Sequence, residues 1–91
     1  MPDTVAYSIH EAEISVNANI FPNPVSQSAE ISFNVSPCDF DLFNSAGQKV
    51  FSQKNISESF LFMRNDLAPG IYLYEVSVRG AKMKTGKIIL L

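Results

Sequence analysis

Apolar and polar residues alternate along most of this chain, which is the pattern of β-strands that bury one face and expose the other. The segments that we predict as strands are residues 14–20, 29–35, 39–42, 49–52, 59–64, 71–79 and 82–91. No stretch has a helical period over a convincing length. Short strands separated by turn residues therefore predict an all-β fold, a seven-stranded antiparallel β-sandwich.

The segment at residues 59–64 departs from this alternation because it is apolar on both faces. Such a pattern is expected for a strand that is covered on each side or that lies at a sheet corner. Residues 1–13 show no sustained pattern. We therefore interpret residues 1–13 as a linker and residues 14–91 as one domain.

Two prolines bracket an asparagine in the stretch from Phe21 to Pro24. Each proline fixes its own φ and keeps the preceding residue out of the helical region, so we expect a stiff, extended corner before the second strand. Asn23 is expected to bond backbone groups through its side chain, as asparagine does in turns. We predict that this corner locks the crossover between the first two strands.

Glycine and proline also mark the later connections. At residues 66–70, Pro69 suits the second position of a type II turn and Gly70 suits the third, where φ is positive. Gly80-Ala81 is predicted to form a short turn, and Gly86 to form a bulge where the alternation slips by one residue. Residues 44–47, which end on Gly47, supply the turn of a hairpin between the third and fourth strands.

Composition places the chain among ordinary single domains. It has 91 residues, 46% of them hydrophobic and 18% charged. The longest apolar run, residues 88–91, is far below the roughly 18 residues that span a bilayer, so we expect no direct membrane insertion. The first residues have neither a basic nor an apolar region of a signal peptide, so an exported form is expected to be part of a longer chain. Cys38 is the only cysteine, which excludes an internal disulfide.

The charges are distributed unevenly. All nine acidic residues lie in residues 1–75, whereas residues 76–91 contain four basic residues and no acid. These four are Arg79, Lys82, Lys84 and Lys87. One interpretation is that lysines protect an edge strand against aggregation, and the other is a positive surface that meets an acidic partner. Four cations without interleaved aromatic residues do not indicate nucleic-acid binding.

Side chains that could support catalysis are few. His10, the only histidine, lies in the linker, so a nucleophile–histidine pair is not expected. Cys38 is interpreted as a small buried residue. Asp39 and Asp41 are expected to lie on a solvated strand face, and two carboxylates are too few for calcium. We expect no enzyme activity, no cofactor and no metal site.

Aromatic residues recur at strand period at positions 60, 62, 72 and 74. They could form a platform on which a sugar stacks, but the period favours packing in the core. All four glycines occur at turn or bulge positions, and none belongs to a phosphate-binding loop.

Four motifs follow one another in a specific order. They are Pro22-Asn23-Pro24, residues 41–50, residues 67–72 and residues 86–91. In this order and spacing they resemble the C-terminal sorting domain of the type IX secretion system, a family of cargo tails in certain Gram-negative bacteria. The resemblance covers residues 14–91. The positions that carry it are Pro22, Asn23, Pro24, Gly47, Pro69, Gly70, Tyr72 and Gly86.

The resemblance implies an immunoglobulin-like sandwich that has no chemistry of its own. Such a domain would carry a covalently attached N-terminal cargo from the periplasm to the cell surface, through an outer-membrane translocon and its shuttle proteins. A surface sortase would cut within residues 1–13, and the cargo would be anchored to lipopolysaccharide or released. The alternative is an accessory extracellular module that binds glycan or protein.

Recognition by the translocon is predicted to concentrate in the last strand, because the excess positive charge and an aliphatic run lie there. The candidate residues are Lys82, Lys84, Lys87, Ile88, Ile89, Leu90 and Leu91. A run of exposed aliphatic side chains beside lysines is typical of a surface that a partner covers. The alternative is that Ile89 and Leu91 pack in the core while the lysines protect the edge.

Overall fold

Seven strands form two antiparallel sheets in the computed structural model, which describes residues 15–91. The strands are β1 (Ala18–Phe21), β2 (Ser28–Phe33), β3 (Cys38–Phe43), β4 (Lys49–Ile56), β5 (Ser59–Met63), β6 (Gly70–Val78) and β7 (Ala81–Leu90). One sheet has the order β1–β2–β5 and the other β4–β3–β6–β7. The all-β class and the seven strands are thus confirmed, whereas the predicted linker at residues 1–13, with His10, lies outside the described residues.

The core lies between the inner faces of the two sheets and is rich in aromatic rings. Phe40 on β3 lies 5.4 Å from Phe60 on β5 and 5.6 Å from Tyr74 on β6, measured between ring centroids. Phe51 on β4 meets the edge of Phe62 at 5.1 Å. Because the contacts of Phe60 and Phe62 join the two sheets and Tyr72 and Tyr74 are buried, the prediction that the aromatic residues at strand period pack in the core is confirmed.

Strand β5 differs from its prediction. Phe60 and Phe62 face the core, but Leu61 and Met63 are 63% and 47% exposed on the opposite face. β5 is an edge strand of the three-stranded sheet, and its outer face is exposed. The expectation of a strand covered on both sides or lying at a sheet corner is therefore wrong.

The first strand begins at Ala18, later than predicted, since residues 15–17 do not join a ladder. The side chain of Asn34 holds this stretch instead. Its Oδ1 accepts a hydrogen bond from the Asn17 amide at 2.8 Å, and its Nδ2 donates to the Ser15 carbonyl at 2.7 Å. Together with one backbone bond, from the Asn34 amide to the Asn17 carbonyl at 3.3 Å, this amide side chain satisfies polar groups of residues 15–17.

The predicted turns exist, but two are shifted along the chain. The hairpin between β6 and β7 turns at Arg79 and Gly80, whose φ values of 55° and 82° fit a two-residue type I′ loop. A hydrogen bond of 3.0 Å from the Leu67 amide to the Arg64 carbonyl closes the turn before β6. Gly70 then opens β6 with a φ of 148°, which is positive but far from the roughly 80° of the third position in a type II turn, so the predicted type II turn at Pro69 and Gly70 is wrong.

The bulge in β7 lies at Met83 and not at Gly86. Val76 pairs with Lys84 and Ser77 with Lys82, which leaves Met83 as the extra residue. Gly86 keeps the regular register opposite Tyr74. Within residues 15–91, no helix has the length and apolar character that crossing a membrane requires.

Candidate functional site

The last strand, β7, is an edge strand of the four-stranded sheet and contains the predicted recognition residues. Ile88 and Leu90 are buried in the core, whereas Ile89 and Leu91 are 42% and 62% exposed. The alternative in which Ile89 and Leu91 pack in the core is therefore wrong, since the opposite pair is buried. A partner that docks on the folded domain can reach only the exposed pair.

The three lysines of β7 do not form a single patch. Lys82 pairs with Glu75 at 3.2 Å, and Lys87 lies opposite Leu73 on the same outer face of the sheet. Lys84 lies opposite the buried Val76, so it belongs to the other face of the sheet, where it is half-buried. Alternation along β7 thus separates Lys84 from the other two.

The proline corner at residues 22–24 lies next to the edge of β7 that does not pair with β6. Val25, the next residue, forms a parallel bridge with Leu90, donates from its amide to the Ile89 carbonyl at 2.7 Å and accepts from the Leu91 amide at 2.9 Å. Asn23 accepts from the Ile89 amide at 3.2 Å through Oδ1 and donates to the Lys87 carbonyl at 3.4 Å. Asn23 does bond backbone groups, but those groups belong to the last strand and not to the crossover itself.

An exposed apolar patch covers one end of the outer face of this sheet, and we define it as Ile71, Leu73, Ile89 and Leu91. Ile71 and Leu73 are 57% and 49% exposed, and Ile71 lies directly opposite Ile89 in the β6–β7 ladder. Cross-strand neighbours on one face are close enough to share a contact surface. The patch is therefore continuous across two strands, with Lys87 at its border.

A shallow groove of about 570 Å³ adjoins this patch, between the β3–β4 turn and strands β6 and β7. Phe43 and Leu73 contribute apolar walls, and Glu75 and Lys87 contribute charges. The turn keeps its shape through Asn44, whose Oδ1 accepts from the amides of Ala46 and Gln48 at 3.0 and 2.9 Å. Sequence reasoning missed the groove, because its walls come from segments that are distant in sequence.

Two positions of the family-like motifs have packing roles in the structure. A Cβ atom on Gly86 would lie 2.5 Å from Cζ and Oη of Tyr74, so the ring occupies the space that any side chain at position 86 would fill. The Tyr72 hydroxyl donates to the Ala68 carbonyl at 2.6 Å and ties β6 to the preceding loop. Both contacts stabilise the sheet that carries β7.

A charged cluster on the outer face surrounds Asp41, which is only 7% exposed. The Ser52 hydroxyl donates to its Oδ1 at 2.6 Å, and Lys49 and Lys54 lie 3.7 and 3.9 Å from the same oxygen. The expectation that Asp41 lies on a solvated face is wrong, since these neighbours cover it. Within residues 15–91, no three histidine, cysteine or acidic side chains converge as metal ligands would.

Cys38 is 2% exposed at the start of β3, so its prediction as a small buried residue is confirmed. Burial, and secondarily the neighbouring Asp39 carboxylate, raises the pKa of the Cys38 thiol. A raised pKa keeps the group in its thiol form at neutral pH, and the thiol is a poor nucleophile.

Comparison with known proteins shows to which family this chain belongs. Among curated proteins, none matches this sequence. A family model described as "Secretion system C-terminal sorting domain" matches residues 19–91, which include all seven strands except the first residue of β1. The chain therefore belongs to the family of C-terminal sorting domains of the type IX secretion system, whose members direct proteins toward the cell surface or the exterior.

Proposed function

We propose that this domain directs a covalently attached N-terminal cargo protein through the outer-membrane translocon of the type IX system, with the help of its shuttle proteins. A surface sortase then cuts within residues 1–13, and the cargo is anchored to lipopolysaccharide or released. The domain itself contributes binding and no catalysis. The observation that carries this proposal is the family match over residues 19–91.

We propose that the translocon recognises the outward side of the last strand. Ile89 and Leu91 expose aliphatic side chains beside Lys87, and Ile71 extends the same surface across the β6–β7 ladder. Ile88 and Leu90 serve this surface indirectly, because they anchor the strand in the core. Removing such apolar surface from water is the main driving force of most protein association.

The fold supports an immunoglobulin-like classification, as the motifs imply. The sixth strand begins near Tyr72, whose hydroxyl reaches back four residues to the Ala68 carbonyl at 2.6 Å. This is the arrangement of the tyrosine corner, a hallmark of immunoglobulin-like sandwiches. We propose that residues 14–91 form such a domain.

The experiment that tests the proposal fuses residues 1–91 to the C-terminus of a periplasmic reporter in a host that has the type IX system. Export of the reporter to the surface or the medium is measured by cell fractionation. We expect the complete fusion to be exported and a fusion without residues 87–91 to remain in the periplasm. Normal export of the shortened fusion would contradict recognition at the last strand and favour the accessory glycan- or protein-binding module.

A matched pair of substitutions separates recognition from general surface hydrophobicity. Ile89→Ser alters the exposed apolar patch, whereas Leu61→Ser alters an aliphatic side chain that is exposed on the outer face of the other sheet. We expect several-fold weaker export for Ile89→Ser and unchanged export for Leu61→Ser, with similar thermal unfolding for both variants. Equal export by the two variants would show that Ile89 is not part of the recognition surface.

A further inference from the structure

Residues 87–91 are held by hydrogen bonds on both sides. On one side, β7 pairs with β6 up to the Gly70–Leu90 pair. On the other side, where an edge strand usually offers unpaired backbone groups, Asn23 and Val25 bond the Lys87 carbonyl, both polar groups of Ile89 and the Leu91 amide. Each of these outward groups has a partner from the proline corner or from the residue that follows it.

Arg64 bonds a further outward group of this segment, the Leu91 carbonyl. Its guanidinium Nη1 donates to this oxygen and also to the Ser26 carbonyl at 2.8 Å, while Nη2 donates to the Leu67 carbonyl at 3.0 Å. The planar guanidinium is well suited to this task, because its donors lie in a fixed fork. One side chain thus joins the loop before β2, the turn before β6 and the end of the last strand.

The backbone of Arg64 is fixed independently of its side chain. Its amide donates to the Gln27 carbonyl at 3.1 Å, and its carbonyl accepts from the Leu67 amide at 3.0 Å. Arg64 as a whole is half-buried, and its side chain starts from a fixed backbone. Arg64 therefore loses little conformational freedom when its side chain binds the Leu91 carbonyl and orders residues 87–91.

We propose that Arg64 and Asn23 form a clamp that holds residues 87–91 as an ordered strand, so that Ile89 and Leu91 are presented in a fixed position. The inference rests on the proposed function, since it names what positions the recognition surface. Arg64 and Asn23 are positioning residues, and the partner contacts the exposed side chains. The physical advantage is preorganisation: a segment ordered in advance does not lose conformational entropy when the partner binds.

The test compares Arg64→Gln with Arg79→Gln, which removes the same charge from the hairpin at the opposite end of β7. Hydrogen exchange of the Ile89 and Leu91 amides is measured by NMR on the complete chain, and export is measured with the reporter fusion. We expect Arg64→Gln to accelerate exchange at Leu91 by about tenfold, because a charge-assisted hydrogen bond next to that amide is lost. Export is expected to fall several-fold, and Arg79→Gln is expected to change neither quantity.

Asn23 supplies a second pair of variants that does not depend on Arg64. Asn23→Asp keeps the acceptor for the Ile89 amide, whereas Asn23→Ala removes it. We expect faster exchange at Ile89 in Asn23→Ala than in Asn23→Asp, and export that ranks in the same order. Core amides are expected to exchange as in the parent protein in both variants, which excludes global unfolding as the cause.

Two results would overturn the clamp without touching the proposed function. One is unchanged exchange at Ile89 and Leu91 in Arg64→Gln and Asn23→Ala. The other is accelerated exchange with normal export in these variants, while deletion of residues 87–91 still blocks export. The partner would then bind residues 87–91 without needing them to be ordered in advance. If the deletion itself has no effect on export, recognition at the last strand fails, and the clamp has no role in sorting.

Discussion

Replacing Gly86 with alanine tests the packing beneath the last strand most directly. The added Cβ would lie 2.5 Å from Cζ and Oη of Tyr74 and 2.6 Å from its Cε2. The ring cannot easily move, because Tyr74 is 5% exposed and stacks on Phe40 at 5.6 Å. Overpacking of this kind costs about 1–3 kcal/mol, and replacing glycine in a strand regains about 0.5–1 kcal/mol.

We therefore expect Gly86→Ala to lower the free energy of unfolding by about 1 kcal/mol, which corresponds to a fall in Tm of about 4–8 °C for a domain of this size. Thermal unfolding followed by circular dichroism measures the change. Tyr74→Leu provides the matched background, since the smaller side chain leaves space for the methyl group, and there Gly86→Ala is expected to be neutral or stabilising. An unchanged or higher Tm in the parent background would refute the close approach of ring and glycine.

Two further predictions concern single groups in the same sheet. Tyr72→Phe removes the hydroxyl that donates to Ala68 at 2.6 Å, so we expect a loss of about 1 kcal/mol in chemical denaturation, and an unchanged midpoint would show that the bond contributes nothing. Burial raises the pKa of the Cys38 thiol, so its contribution to stability is complete below the unfolded pKa of about 8.5 and is lost as the pH rises through the folded value. Cys38→Ala is expected to flatten the decline in the urea midpoint between about pH 8 and pH 10, and an equal decline in both proteins would contradict this linkage.

Local features of the fold could be predicted from the sequence because they depend on neighbouring residues. Alternation identified the seven strands, and turn residues located the connections to within a few positions. The shifts that remain are short: the β6–β7 hairpin turns at Arg79 and Gly80, since both residues adopt a positive φ, and the bulge moves to Met83. Pattern alone does not reveal which of several adjacent residues absorbs an irregularity.

The candidate site was harder to predict because it depends on contacts across the chain. Residues 88–91 are all aliphatic, so no alternation shows which of them face the core; pairing with β6 decides this and buries Ile88 and Leu90. Asn23 accepts a hydrogen bond from the Ile89 amide, although the two residues are 66 positions apart in the sequence. Asp41 is covered by Ser52 on the neighbouring strand, which a reading of β3 alone could not reveal.

We propose that the two interpretations of the basic last strand, edge protection and recognition, apply to different halves of it. The proline corner covers the edge of β7 from the Lys87 carbonyl to the Leu91 amide, so this half needs no lysine to prevent pairing with another strand. Lys82 and Lys84 lie on the half that the corner does not reach, where charged side chains discourage such pairing. Because the backbone of the covered half is already bonded, a partner that docks there without displacing the corner contacts side chains and not backbone groups. We therefore propose that Lys82 and Lys84 protect the edge, while Lys87, Ile89 and Leu91 are exposed for recognition.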